Sequence, residues 1–146
     1  MANEFKGVSC IMVVPFNKDV ASLNATPVDL PYAGGIELDT PSATQGFVMP
    51  FDGCVVGMSG CRTTGHGTYA VYLKLNKGAT LVSGATLTFG LTTDAADKTV
   101  YARWMPDLYN FAAGEVVNVE AVGVATGYDP GNVIAKVFIQ VGRSNT

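Results

Sequence analysis

The sequence predicts an all-β fold: an antiparallel sandwich or barrel of about seven or eight strands, preceded by an extended N-terminal arm. Three observations lead there. From Gln45 onward, short apolar runs follow one another, separated by turn residues. Several of these runs alternate apolar and polar residues with the two-residue period of a half-buried strand. No stretch sustains apolar positions at i, i+3, i+4 and i+7 behind a capping residue, so no helix is expected.

Residues 1–44 read as the arm. Val8–Val14 suits one edge strand, but Pro15, Asn17, Asp19, Asn24, Pro27, Pro31, Gly34, Gly35 and Pro41 follow as turn and polyproline signals. Prolines this dense exclude a helix of useful length. Phe5, Leu23, Leu30, Tyr32, Ile36 and Leu38 punctuate the segment with apolar side chains. That suits docking, either onto a partner or onto the chain's own body.

The body, residues 45–146, opens with Phe47–Met49, a corner at Pro50–Gly53 and a second run at Cys54–Met58. Alternation places Cys54, Val56 and Met58 inward and Val55, Gly57 and Ser59 outward. Thr68–Leu75 turns Tyr69, Val71, Leu73 and Leu75 to one face, and Asn76-Lys77-Gly78 supplies a tight turn. Ala85–Leu91 follows, then a polar connection at Thr93–Lys98. Lys98–Trp104 points Val100, Ala102 and Trp104 inward. Pro106–Gly114 is a loop and Glu115–Thr126 a long β run. Gly127–Asn132 is a turn, and Val133–Val141 closes the fold with its odd-numbered residues inward.

Composition bounds the function. The chain has 146 residues, enough for one domain with its own core, and carries a net charge of −3. Five acids against two bases in residues 1–44 account for that charge, and seven of each follow. No basic stripe invites duplex nucleic acid, and no run approaches a membrane span. Val8–Phe16 makes a poor signal peptide, because Ser9 and Pro15 interrupt it and Glu4 cancels Lys6. Cys10, Cys54 and Cys61 are an odd set. Cys54 and Cys61, on one strand, stand about 23 Å apart, beyond disulfide reach. Reduced thiols and synthesis in a reducing cytosol are expected, with a pairing of Cys10 to either of the others as the alternative.

Charged residues make up only 14% of the chain, well below the roughly 25% of an average soluble protein. Self-association explains this simply; a very compact monomer is the other explanation. The outward positions sharpen the point. Tyr72, Tyr101, Val116, Val122, Val124, Ile134 and Phe138 fall opposite the inward set, where a monomeric sandwich carries polar residues. An oligomer interface is expected there, built from Tyr72, Tyr101, Val122, Val124, Ile134 and Phe138. A bulge would shift some of them inward.

Catalytic chemistry is not legible. His66 is the one histidine, and Cys54 and Cys61 lack zinc spacing. Ser59 and Asp52 could join His66 in a triad, but Gly57-Met58-Ser59-Gly60 is no nucleophile elbow. Asp94, Asp97, Asp107 and Asp129 lie in loops without a calcium-binding pattern. Trp104 reads as core rather than as a sugar platform. No enzyme activity, metal or cofactor is expected.

The order F-V-M-P-F-D-G-C-V-V-G-M-S (Phe47–Ser59), L-N-K-G (Leu75–Gly78) and F-A-A-G-E-V-V-N-V (Phe111–Val119) resembles the small jelly-roll domains of tailed-bacteriophage structural proteins. The resemblance covers about Gln45 to Gly142 and lies in rhythm rather than in a catalytic motif. It implies an antiparallel jelly-roll-like sandwich and a virion protein: a capsid decoration (cement) protein, made in the host cytoplasm and placed on the capsid surface. A homotrimer would bind across subunits of the major capsid protein and stabilise the phage head, with the 1–44 arm making capsid contacts. The alternative it leaves is a fibre or spike tip that binds a host-surface glycan or protein.

Overall fold

The computed structural model of the chain describes residues 9–32, 44–64, 69–89, 99–124 and 127–142. In chain order their strands are β1 (Cys10–Val20), β2 (Val28–Leu30), β3 (Phe47–Val48), β4 (Gly53–Arg62) and β5 (Val71–Lys77). They continue with β6 (Thr80–Phe89), β7 (Val100–Arg103), β8 (Asn110–Phe111), β9 (Val116–Val122) and β10 (Gly131–Val141). The fold is all-β, with two antiparallel sheets packed face to face. One sheet runs β1-β10-β4-β7, with β8 also on β4; the other runs β2-β9-β5-β6, with β3 also on β9. β2 and β3 lie along the same edge of β9, and β7 and β8 along the same edge of β4. Each pair therefore lies on one strand line, and between β7 and β8 that line is broken by an excursion.

Alternation builds the core. Val133, Ala135, Val137, Ile139 and Val141 of β10 are all buried, as are Val71, Leu73 and Leu75 of β5 and Val117, Val119 and Ala121 of β9. Each fully buried branched side chain contributes roughly 1.5–3 kcal/mol. The β5–β6 hairpin closes at Gly78-Ala79, one residue later than the sequence suggested, and Gly78 takes a φ of 59°. The Asn118 Nδ2 amide donates to the Gly78 carbonyl and braces that turn. At the other end Arg62 is buried. Its Nη1 donates to the Tyr69 carbonyl and to the Tyr128 hydroxyl, each at 2.7 Å. The Tyr69 and Tyr128 rings pack together at 5.2 Å.

The expected arm is corrected. β1 pairs with β10 along its whole length, from Cys10↔Val141 to Val20↔Gly131. Val14, Phe16, Val20, Leu23 and Leu30 are core residues, and Tyr32 packs against that core. Leu23 exchanges two backbone hydrogen bonds with Tyr128, and Phe16 and Tyr32 form an isolated bridge. The prolines misled because they occupy tolerant positions. Pro15 lies in β1 at the end of its sheet, Pro27 just before β2 and Pro31 just after it. Leu23 and Leu30 are thus not available as capsid contacts, while Tyr32 is half-buried. Phe5, Ile36 and Leu38 lie outside the described residues.

The parity of β4 is corrected as well. A β-bulge between Phe138 and Ile139 sets Gly57 opposite Phe138 and Val55 opposite Ile139. Val55 therefore turns into the core at 0% exposure and Val56 turns out. Cys54, paired with Gln140, faces the outer side but is buried there. Met58, Gly57 and Ser59 keep their expected faces.

Candidate functional site

The outer face of the β1-β10-β4-β7 sheet gathers several exposed apolar side chains among the described residues. Register stacks Val13, Phe138, Gly57 and Arg103 in one row. Pro15, Lys136, Ser59 and Tyr101 form the next, and Asn17, Ile134 and Cys61 the one after. Ile11 and Val13 are 52% and 50% exposed and Tyr101 is 68% exposed, while Ile134, Phe138 and Val56 are half-buried. Single exposed apolar residues are ordinary; a group on one face marks a contact surface.

That face is recessed. Ile11, Val56, Gly57, Tyr101, Ala102 and Phe138 line a hollow of about 430 Å³. Gly57 makes it possible: a Cβ there would stand 2.8 Å from the Ala102 carbonyl oxygen and 3.8 Å from the Phe138 ring. The bulge adds Val56 to the wall. The charged side chains on the facing residues are Lys136 and Arg103, with no acid between Cys10 and Asn17 or on the matching lengths of β10, β4 and β7.

The expected interface residues divide between the sheets. Tyr101, Ile134 and Phe138 meet on this outer face. Tyr72 and Val122 are register partners in the other sheet, and Val124 follows β9; all three are half-buried. The outer side of that other sheet is not open along β9: Val116, Asn118 and Glu120 are buried. Sequence reasoning missed Ile11, Val13 and Val56. The alternation of Val14, Phe16 and Val20 against Ile11, Val13 and Pro15 was the available signal for β1. The position of Val56 depends on the bulge, which has no marker in the sequence.

A second hollow, of about 390 Å³, lies where the β3–β4 corner meets the loop after β8. Asp52, Cys54, Lys77, Asp107, Asn110 and Glu115 line it. Its polar groups bind the loop itself. Lys77 Nζ lies 3.0 Å from Glu115 Oε2, donates to the Asn110 carbonyl at 2.8 Å and sits 4.8 Å above the Phe111 ring. The Ala112 N–H donates to Glu115 Oε2 and the Ala113 N–H to Asp52 Oδ1. Burial pushes the Glu115 carboxyl up, but the Ala112 N–H and Lys77 outweigh it and hold it below its ordinary value. Asp52 borders this hollow while Ser59 stands on the apolar outer face. Asp129 Oδ1 accepts from the Gly131 N–H. His66, Asp94 and Asp97 lie outside the described residues. Among the described residues, no three His, Cys, Asp or Glu side chains group as a metal site.

No family model matches the chain, and the search of curated proteins returned no match.

Proposed function

We propose that this protein is a virion structural component, a capsid decoration protein that works as a homotrimer associated through the outer face of the β1-β10-β4-β7 sheet. The observation that carries the reading is the group Ile11, Val13, Val56, Tyr101, Ile134 and Phe138 on that face, in a chain with only 14% charged residues. Burying such surface contributes about 25 cal/mol per Å² and is the ordinary driving force of association.

The strand order supports the finer fold reading. If β2 with β3 and β7 with β8 each count as one strand, the sheets run first-eighth-third-sixth and second-seventh-fourth-fifth. Such an interleaving of early and late strands supports reading the sandwich as a jelly roll, which is built from two Greek keys. With Leu23 and Leu30 in the core, attachment to the major capsid protein falls to the body's own surface as well as to any N-terminal contact. The rival reading, a fibre or spike tip, has the polar hollow beside Asp52 and Asn110 in its favour. That hollow's charged groups already serve its own loop.

Isolation of intact virus particles tests the proposal. The protein is expected to sediment with filled heads in fixed proportion to the capsid protein. Its absence from washed particles, with retention by glycan-bearing beads, would transfer the case to the rival.

A further inference from the structure

We infer that the turn Met105-Pro106-Asp107-Leu108 of one copy inserts into the apolar hollow on the outer sheet face of a neighbouring copy. This rests on the self-association proposed above and names what fills the hollow.

The turn is built to protrude. β7 and β8 follow the same edge of β4, and between them the chain leaves that edge and returns. The Trp104 N–H donates to the Val56 carbonyl, and the Val55 N–H to the Tyr109 carbonyl, each at 2.9 Å. Trp104 and Tyr109 meet edge to face at 5.2 Å and brace the base of the excursion. At its tip the Leu108 N–H returns to the Met105 carbonyl, with Pro106 at the first central position and Asp107 at φ 67° at the second. That is a type II turn, in which glycine or asparagine is usual at the second position. The Asn110 Nδ2 amide holds the Asp107 carbonyl at 2.9 Å. Met105 is 76% exposed and Leu108 57% exposed. A braced turn loses little freedom on docking, so it suits an anchor.

The occupant is a second copy because one chain carries both halves of the contact. The knob offers two aliphatic side chains, and the hollow is an apolar recess of about 430 Å³. Charge agrees. Asp107 stands at the tip of the knob, whereas among the described residues the hollow is bordered by Arg103 and Lys136 and by no acid. Opposite charges at the rim set register and discourage wrong partners. The knob does not fill its own molecule's hollow, since both its apolar side chains remain exposed. A contact joining two different patches generates a closed ring when its rotation closes, which a trimer satisfies.

Sedimentation equilibrium on the full chain tests this, with the double variant M105S/L108S against L81S, which removes an exposed aliphatic elsewhere. Far-ultraviolet circular dichroism verifies that both remain folded. The knob variant is expected to weaken association at least tenfold while Leu81→Ser leaves it unchanged. An unaltered mass for the knob variant would overturn the inference and leave self-association standing, as would equal weakening by Leu81→Ser. A wild-type chain that is itself monomeric would remove both.

Discussion

Asp29 shows how one residue can make stability depend on pH. It stands opposite Glu120 in the β2–β9 register, is 4% exposed, and its Oδ1 has no hydrogen-bond partner among the described residues. Burial pushes its carboxyl from 3.8 up to about 6; Lys18 on β1 opposes the shift and Glu120 adds to it. Burial raises Glu120 too, against Lys74 and a hydrogen bond from Asn76. A carboxyl raised in the folded state favours folding at low pH. The stability it contributes is complete below the unfolded value and is lost as pH rises through about 6. For Asp29 the loss is about 3 kcal/mol at most. Urea unfolding is therefore expected to show a lower midpoint at neutral pH than at pH near 5. Asp29→Asn should narrow that difference; an identical pH profile in the variant would contradict the account.

At the scale of elements, regular alternation was legible and interruptions were not. β5, β7 and β10 followed their two-residue pattern, because a strand with one buried face cannot slip by one residue without exposing its core side. β4 departed from it at the bulge opposite Phe138 and Ile139, which reversed Val55 and Val56. β1 was half seen: its first residues read as a strand, but Pro15, Asn17 and Asp19 obscured the rest. An end strand tolerates a proline, and only the long-range pairing with β10 reveals it as such. Deleting residues 1–44 should not leave a folded body, since it removes β1, β2 and five buried apolar side chains, Val14, Phe16, Val20, Leu23 and Leu30. Losses of a few kcal/mol for each large buried side chain, summed over the five, match or exceed typical domain stability. Circular dichroism and amide dispersion in a proton NMR spectrum of the truncated chain are expected to show an unfolded or aggregated product. A cooperative, well-dispersed fold would show that β1 is dispensable.

For the whole molecule, low charge pointed to hidden surface, and we propose that it lies on the outer face of one sheet. Tyr101, Ile134 and Phe138 were readable as outward residues on late strands. Their partners Ile11 and Val13 were not, because they come from the opposite end of the chain and meet Phe138 only through sheet register. The knob at Met105 and Leu108 was readable as a loop but not as an anchor, since exposure depends on packing. Tyr72 and Val122 stayed together in the second sheet, away from this face. We propose burial of the outer face of the β1-β10-β4-β7 sheet between copies of the chain. Sedimentation equilibrium of the wild-type protein at micromolar concentration tests it most directly: a mass three times that of the chain is the expected result, and a mass equal to one chain would contradict it.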